Sequence, residues 1–356
     1  MIFQRKFSFS LLALLCLACA PDKPRDIILE ENFKSAEHKS EFPAKLSEYG
    51  FFKQPIRNLE PVAGVIGYEL NAPLFSDYAF KKRFIKLPEG AQILYNENEV
   101  LDFPNGTTII KNFYYPADFR KPEKDWTIIE TRLLVKTPKG WEALPYIWNA
   151  EQTDATLEIA GGSSEVSWIH NDGIGRKINY HVPDKNQCKS CHNRNNEMQP
   201  IGPTARQLNK SLPNGINQLV ALSKSGKLKG LPEQEKIYQL ANYDDQNSPL
   251  NDRARAWLES NCAHCHRREG SAKNSGLYLL ASEKDPARLG IGKAPVAAGK
   301  GSGGLRYDVV PGHPESSILM FRIQSEDPGI MMPELGRRIV HSEGIELIRE
   351  WILRMN

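Results

Sequence analysis

Outside its extreme N-terminus the sequence has no apolar run long enough to cross a membrane as a helix. It also lacks a dominant charge: the formal net charge is +3 over 356 residues, which gives no field to attract nucleic acid. No cysteine is spare for a structural disulfide, because the six fall at 16, 19, 188, 191, 262 and 265, two in the leader and four in two close pairs. There is no glycine-rich phosphate cradle, no His-Glu-x-x-His, no serine elbow, and no internal repeat beyond the two cysteine pairs. These absences argue against a polytopic membrane protein, a nucleic-acid binder, a disulfide scaffold and the common nucleotide and hydrolase chemistries. What is present is 40% apolar residues, enough for real cores, with 26 Gly and 24 Pro that mark a loop-rich chain of two or three units.

The N-terminus, "MIFQRKFSFSLLALLCLACAPDKPRD", sets Arg5 and Lys6 before an apolar run from Phe7 to Leu17, followed by small residues around Cys19. This reads as an export signal rather than a folded helix. "CLAC" resembles a bacterial lipoprotein cleavage site, which implies residues 1–19 as signal peptide and lipobox and Cys19 as the lipidated residue. Several acyl chains on one cysteine give a lasting anchor. Ala20 after Cys19 resembles the sorting signal for the outer membrane and implies its periplasmic side; ordinary cleavage, leaving a soluble periplasmic protein, is the alternative. Loss of residues 1–18 removes Arg5 and Lys6 and no acid, taking the net charge from +3 to +1.

The remaining cysteines pair as Cys188 with Cys191 in "QCKSCHN" and Cys262 with Cys265 in "NCAHCHRREG", each pair followed at once by a histidine, His192 and His266. Cys-x-x-Cys-His is the attachment signature of c-type haem. Cysteines three apart on a helical turn project to one side, where both thiols can form thioethers with porphyrin vinyls while the next imidazole meets the iron. A four-cysteine zinc site or two redox dithiols would use the same cysteines, but neither needs the histidines. The expectation is two covalently bound haem c groups, on Cys188, Cys191 and His192 and on Cys262, Cys265 and His266. His264, inside the second motif, has no required role and reads as an exposed helix residue.

"SPLNDRARAWLESNCAHCH" predicts a helix capped by Ser248, with Ala254, Trp257 and Leu258 as its apolar stripe. "HSEGIELIREWILRMN" predicts a closing helix with Ser342 as its cap and Ile345, Ile348, Trp351, Ile352 and Met355 on its buried side. This pair resembles the crossing helices of a class I cytochrome c, which implies that fold for residues 248–356. Such a domain needs a second iron ligand, and "GIMMPELGR" offers Met331 and Met332; Met332, directly before Pro333, is the choice, since a thioether favours ferrous iron. For the first motif "MQPIGP" echoes "MPELG" and points to Met198, although six residues from His192 reach only about 20 Å when extended. His181, His170 and an open iron remain alternatives there. A helix over 215–225, with Ile216, Leu219 and Leu222 apolar, could cover that haem.

Residues 20–59 read as a polar linker. From 60 to 182, runs such as "GTTIIKNFYY", "WTIIETRLLVK", "GWEALPYIWN" and "SEVSWIH" are β-branched and aromatic between turn residues, which predicts an antiparallel sandwich or barrel. Residues 183–247 then form the first haem-binding region. The expected fold class is thus multidomain: an antiparallel all-β N-terminal domain followed by mainly α c-type haem regions. Trp126, Trp141, Trp148 and Trp168 fall in the β-rich part, where a row of exposed rings could dock a carbohydrate or a protein partner and core packing is the plainer reading.

"NAPLFSDYAFKKRFIKLPEG", "FPNGTTIIKNFYY", "VPDKNQCKSCHNRNNEMQPIGPTARQLN" and "MMPELGR" together resemble a family of dihaem c-type cytochromes of Gram-negative bacteria, often lipoproteins, with no assigned reaction. The resemblance implies two haems and export. The expected function is a membrane-anchored electron carrier working with a periplasmic redox partner; the alternative is a peroxidase-like dihaem oxidoreductase with an open first haem.

Overall fold

The β-branched and aromatic runs fold as strands: β1 (Val65–Tyr68), β2 (Phe80–Lys86), β3 (Ile93–Leu94), β4 (Thr108–Pro116), β5 (Trp126–Thr137), β6 (Gly140–Trp148), β7 (Ala155–Leu157), β8 (Gly162–Ile169) and β9 (Gly175–Val182). The computed structural model describes residues 41–355, so the leader with Cys16 and Cys19 lies outside the described residues. A single antiparallel sheet takes six strands in the order β1-β2-β4-β5-β6-β7. Its order follows the chain except where β3 is passed over, and a β-bulge interrupts the β4–β5 register between Phe113 and Tyr114. β8 and β9 form a separate hairpin.

After β9 come α1 (Lys185–Cys191), the small hairpin β10 (Asn193–Arg194) and β11 (Glu197–Met198), α2 (Ala205–Leu208), α3 (Gln218–Lys224) and β12 (Leu228–Lys229). β12 pairs in parallel with β3. The chain ends with α4 (Leu250–Cys262), α5 (Ile318–Ile323) and α6 (Ser342–Leu353).

One side of the sheet, with Ile110, Ile128, Leu144 and Tyr146, is covered by the segment carrying Leu46, Phe51, Phe52 and Ile56. On the other side, Phe113, Tyr115 and Ile129 pack against Val166, Trp168 and Tyr180 of the β8–β9 hairpin. Further along that side Ile85 and Ile109 meet Leu208 of α2 and Leu219 and Leu222 of α3. Trp141, Trp148 and Trp168 are buried, and the ring of Trp126 packs on Tyr114 under the Lys82 ammonium, so the four tryptophans make no row of exposed rings.

This architecture corrects the expected fold class. The structure is not an all-β sandwich or barrel followed by mainly α haem regions, and it does not end in a class I cytochrome c fold. It is β-rich, its six α-helices among the described residues are short, and no helical haem-binding region is evident. Phe42–Asn356 cluster as one compact unit. The reason lies in α4. Its apolar stripe does pack on α6, with Trp257 and Trp351 in one cluster, but its polar side is buried as well. Ser260 donates to Ala72 O at 2.6 Å, Asn261 accepts from Phe75 N at 2.9 Å, and Glu259 pairs with Arg206 at 2.5 Å. Helix periodicity detects an apolar stripe and is blind to polar groups satisfied by distant segments. The helix is therefore the centre of a mixed core shared with the strand region. At its crossing with α6 a Cβ on Gly344 would run into the Trp257 ring, so only glycine permits that approach.

Candidate functional site

The first motif is built on a capped two-turn helix. Asp184 accepts from Asn186 N and Gln187 N at 2.7 and 2.8 Å, and Gln187 Oε1 accepts from Asp184 N at 3.1 Å, a reciprocal capping box. It starts α1 in register, which puts Cys188 and Cys191 on one face. His192 closes the helix with its N–H on Cys188 O at 3.0 Å. The β10–β11 hairpin, turned by Asn195 and Asn196 at φ 51° and 69°, then folds Gln199 back onto His192. Gln199 O lies 2.8 Å from His192 Nδ1 and must accept, so the proton sits on Nδ1 and Nε2 carries the free lone pair. Burial pushes the His192 pKa down to about 4, which keeps the ring neutral.

The second motif reaches the same state by a different route. His266 N bonds Cys262 O at 2.9 Å. Its Nδ1 lies 3.1 Å from Ser275 Oγ, whose single hydroxyl proton goes to Ala272 O at 2.7 Å, so His266 Nδ1 donates and Nε2 is again free. Burial lowers this pKa to about 4 as well. Gly270 allows the following loop to close, because a Cβ there would run into Cys265 O.

The two motifs, distant in sequence, meet. Cys191 and Cys265 lie close enough to act on each other, which pushes the Cys191 pKa up and the Cys265 pKa down, with His264 and Ser271 also lowering Cys265. Asn195 N donates to Glu269 O at 2.9 Å, joining the loops that follow the motifs. Glu99 takes Arg194 on one carboxylate oxygen and Arg267 on the other, so one acid staples the residue two beyond His192 to the residue after His266. None of the four cysteines is in a disulfide, and Cys188 and Cys262 are buried.

Beside them lies one cavity of about 410 Å³, within the range of small-molecule and cofactor pockets. Its wall includes Cys188, Cys191, His192, Met331, Met332 and His341. Met331 is buried and Met332 half-buried. The loop that carries them is held by Arg337, itself buried, which donates to Met332 O from Nη2 at 2.8 Å and Nε at 3.1 Å and to Ser325 O at 2.9 Å. Between the sheet and α4 the segment "NAPLFSDY" forms another wall: Ala72 bonds Gln207 and Ser260, Pro73 O accepts from Tyr243 OH at 2.6 Å, and Asp77 accepts from Arg338 N and Ile339 N at 2.6 and 3.0 Å.

The remaining sequence candidates divide. His181 lines the cavity, its Nε2 2.9 Å from Gln187 Oε1. Met198 lies outside the wall, half-buried against the cluster of Tyr68, Leu87 and Trp141. His170 packs on Tyr78 and Phe119 and takes the Trp168 indole proton on Nδ1 at 3.3 Å. His264, read as an exposed helix residue, is instead on the cavity wall, with Nδ1 buried and unpartnered. Glu99, Arg337, Gln199 and Ser275 had no sequence signal, because each acts through a partner fixed only by the fold. No family model, no curated protein and no solved structure matches the chain.

The donor set of each motif, two cysteines free of disulfide and a neutral imidazole anchored through Nδ1, is of the kind that holds a c-type haem; Cys188, Cys191 and His192 line the cavity, whereas Cys262, Cys265 and His266 lie off its wall.

Proposed function

We propose that this is an exported electron-transfer protein with two covalently attached haem c groups, one on Cys188, Cys191 and His192, the other on Cys262, Cys265 and His266. The observation that carries this reading is the shared state of the two histidines, each neutral, held through Nδ1 and free at Nε2 beside two thiols. Bound there, haem supplies one-electron redox chemistry. The chain contributes orientation through Gln199 O and Ser275 Oγ, and apposition through Glu99 and the Cys191–Cys265 contact, which brings the two attachment points together. Met332 is the second ligand for the C-terminal group in this reading, its loop held by Arg337. Export and anchoring through Cys19 rest on the sequence of the leader, and a periplasmic redox partner completes the proposal.

The test is a pyridine haemochrome assay on protein from a host that matures c-type cytochromes. Two haems per chain are expected, falling to one in Cys188→Ala/Cys191→Ala and to one in Cys262→Ala/Cys265→Ala; none in the wild type overturns the reading. A second reading, a dihaem oxidoreductase with an open first iron, is favoured by one observation, the position of Met198 away from the cavity wall. Carbon monoxide added to reduced protein separates the two: an unchanged spectrum supports electron transfer, and a shift in about half of the haem supports the oxidoreductase.

A further inference from the structure

We propose that the cavity face of the sheet carries a carboxylate-binding site built by Arg83, Lys111 and Arg132. These residues sit on neighbouring strands in one register row: Arg83 of β2 faces Lys111 of β4, and Lys111 faces Arg132 of β5. All three line the cavity. Directly opposed like charges destabilise a sheet, so three cations in a row call for counter-charge. One row along, Lys81 faces Phe113 and Phe113 faces Glu130. The Phe113 ring carries Arg132 Cζ at 4.4 Å, Lys111 Nζ at 4.6 Å and Lys81 Nζ at 6.0 Å.

Against these cations the face offers one acid, Glu130, with no exposed side-chain surface, and it is already committed. It accepts from Arg132 at 2.5 and 2.7 Å and from Tyr180 OH at 2.6 Å. Other acids have partners as well: Glu69 pairs with Lys210 at 2.8 Å, Asp77 accepts two backbone amides, and of the two carboxylates on the cavity wall Glu259 pairs with Arg206 at 2.5 Å and the exposed Glu334 lies 3.9 Å from Arg322. Among the described residues neither Arg83 nor Lys111 makes a side-chain hydrogen bond or an ion pair, and both residues line the cavity. Burial and mutual repulsion lower the pKa values of Lys111 and of Lys81, the latter to about 7, a cost that a bound anion would reverse. A guanidinium fork beside an ammonium suits a pair of carboxylate oxygens. The surrounding wall of Tyr68, Ile109 and Leu133 is apolar, which fits an acid with an apolar body.

That carboxylate has two possible sources. It belongs either to the side chains of a tetrapyrrole attached in the same cavity, which rests on the reading above, or to a free small carboxylate entering from solvent, which does not. The experiment uses full-length matured protein, Arg83→Gln and Lys111→Gln, with methionine at either position should glutamine prevent folding. Thioethers retain the haem whatever the row binds, so haem count, potential and stability can be read separately. A tetrapyrrole carboxylate predicts unchanged haem content and about a tenfold fall in the reduced-to-oxidised ratio of one haem at fixed potential, about 59 mV for a one-electron couple, insensitive to acetate. A free ligand predicts that sodium acetate, against sodium chloride at equal ionic strength, raises the wild-type Tm but not that of the variants. Variants that are more stable than wild type, with unchanged potentials and no acetate response in any form, would overturn the proposal, since neutralising a row that faces no anion only relieves repulsion. A haem count of zero sinks the dihaem reading while leaving the acetate comparison decisive for this one.

Discussion

At the scale of single residues, the side chains that organise the site are mostly not those that would do its chemistry. Arg337 reaches the carbonyl of Met332 with two nitrogens and that of Ser325 with one, a fork that lysine cannot reproduce. Arg337→Lys should cost about 2 kcal/mol in urea unfolding. On the dihaem reading it should also weaken the near-infrared sulfur-to-iron band of matured protein without changing its haem count; an intact band would remove Arg337 from the positioning of Met332. Glu99 is the other such residue. Glu99→Gln leaves Arg194 and Arg267 facing each other without their shared carboxylate. Because 35% of the Glu99 side chain is exposed, screening limits the expected loss to roughly 1–2 kcal/mol. Equilibrium unfolding of wild type and variant at low and high salt checks this, the difference shrinking as salt rises.

At the scale of elements, helix starts matter most. The Asp184 capping box is the local reason that α1 exists, since seven residues would not hold a helix alone. Asp184→Ala should lower stability by about 1 kcal/mol, with hydrogen exchange speeding up first at the amides of Cys188 to His192. Much at this scale was legible in the sequence. The runs "GTTIIKNFYY", "WTIIETRLLVK" and "GWEALPYIWN" lie in β4, β5 and β6, and helices occur before the second motif and at the chain end. Boundaries were less legible: Ser248, expected as a cap, instead donates to Asp245 Oδ2 at 2.9 Å, and α4 begins after Pro249. What could not be read was which elements share a core. Period and propensity are local, whereas the Arg83–Lys111–Arg132 row depends on strand register and the meeting of the motifs depends on contacts across the chain. The class I cytochrome c expectation failed for that reason, its two helices being real and their partners elsewhere.

At the scale of the whole molecule, His341 joins three parts of one unit. Its ring stacks on Phe75 at 4.3 Å, accepts from Trp257 Nε1 at 2.9 Å, and sits at the start of α6. Burial, opposed by Glu343 and reinforced by Lys81, lowers its pKa to about 4 from the free value of about 6.5. The folded state therefore binds this proton less readily than the unfolded chain, so the stability contributed by neutral His341 is whole above about pH 6.5 and is lost as pH falls toward 4. Thermal unfolding from pH 7 to 4 should show Tm falling with a slope shallower by about one proton in His341→Gln than in wild type. Parallel curves would assign the acid sensitivity to other groups.

The burial of Cys188 and Cys262 bears on biogenesis. Were haem attached as proposed, the machinery joining vinyl carbon to these sulfurs would need to reach them, and in the folded molecule Cys188 lies on the cavity wall and Cys262 at the end of the central helix. On the dihaem reading, ligation has to come before the two halves of the chain shut on each other, which makes the order of events during maturation, rather than any later repair, the step at which such a protein is completed or lost.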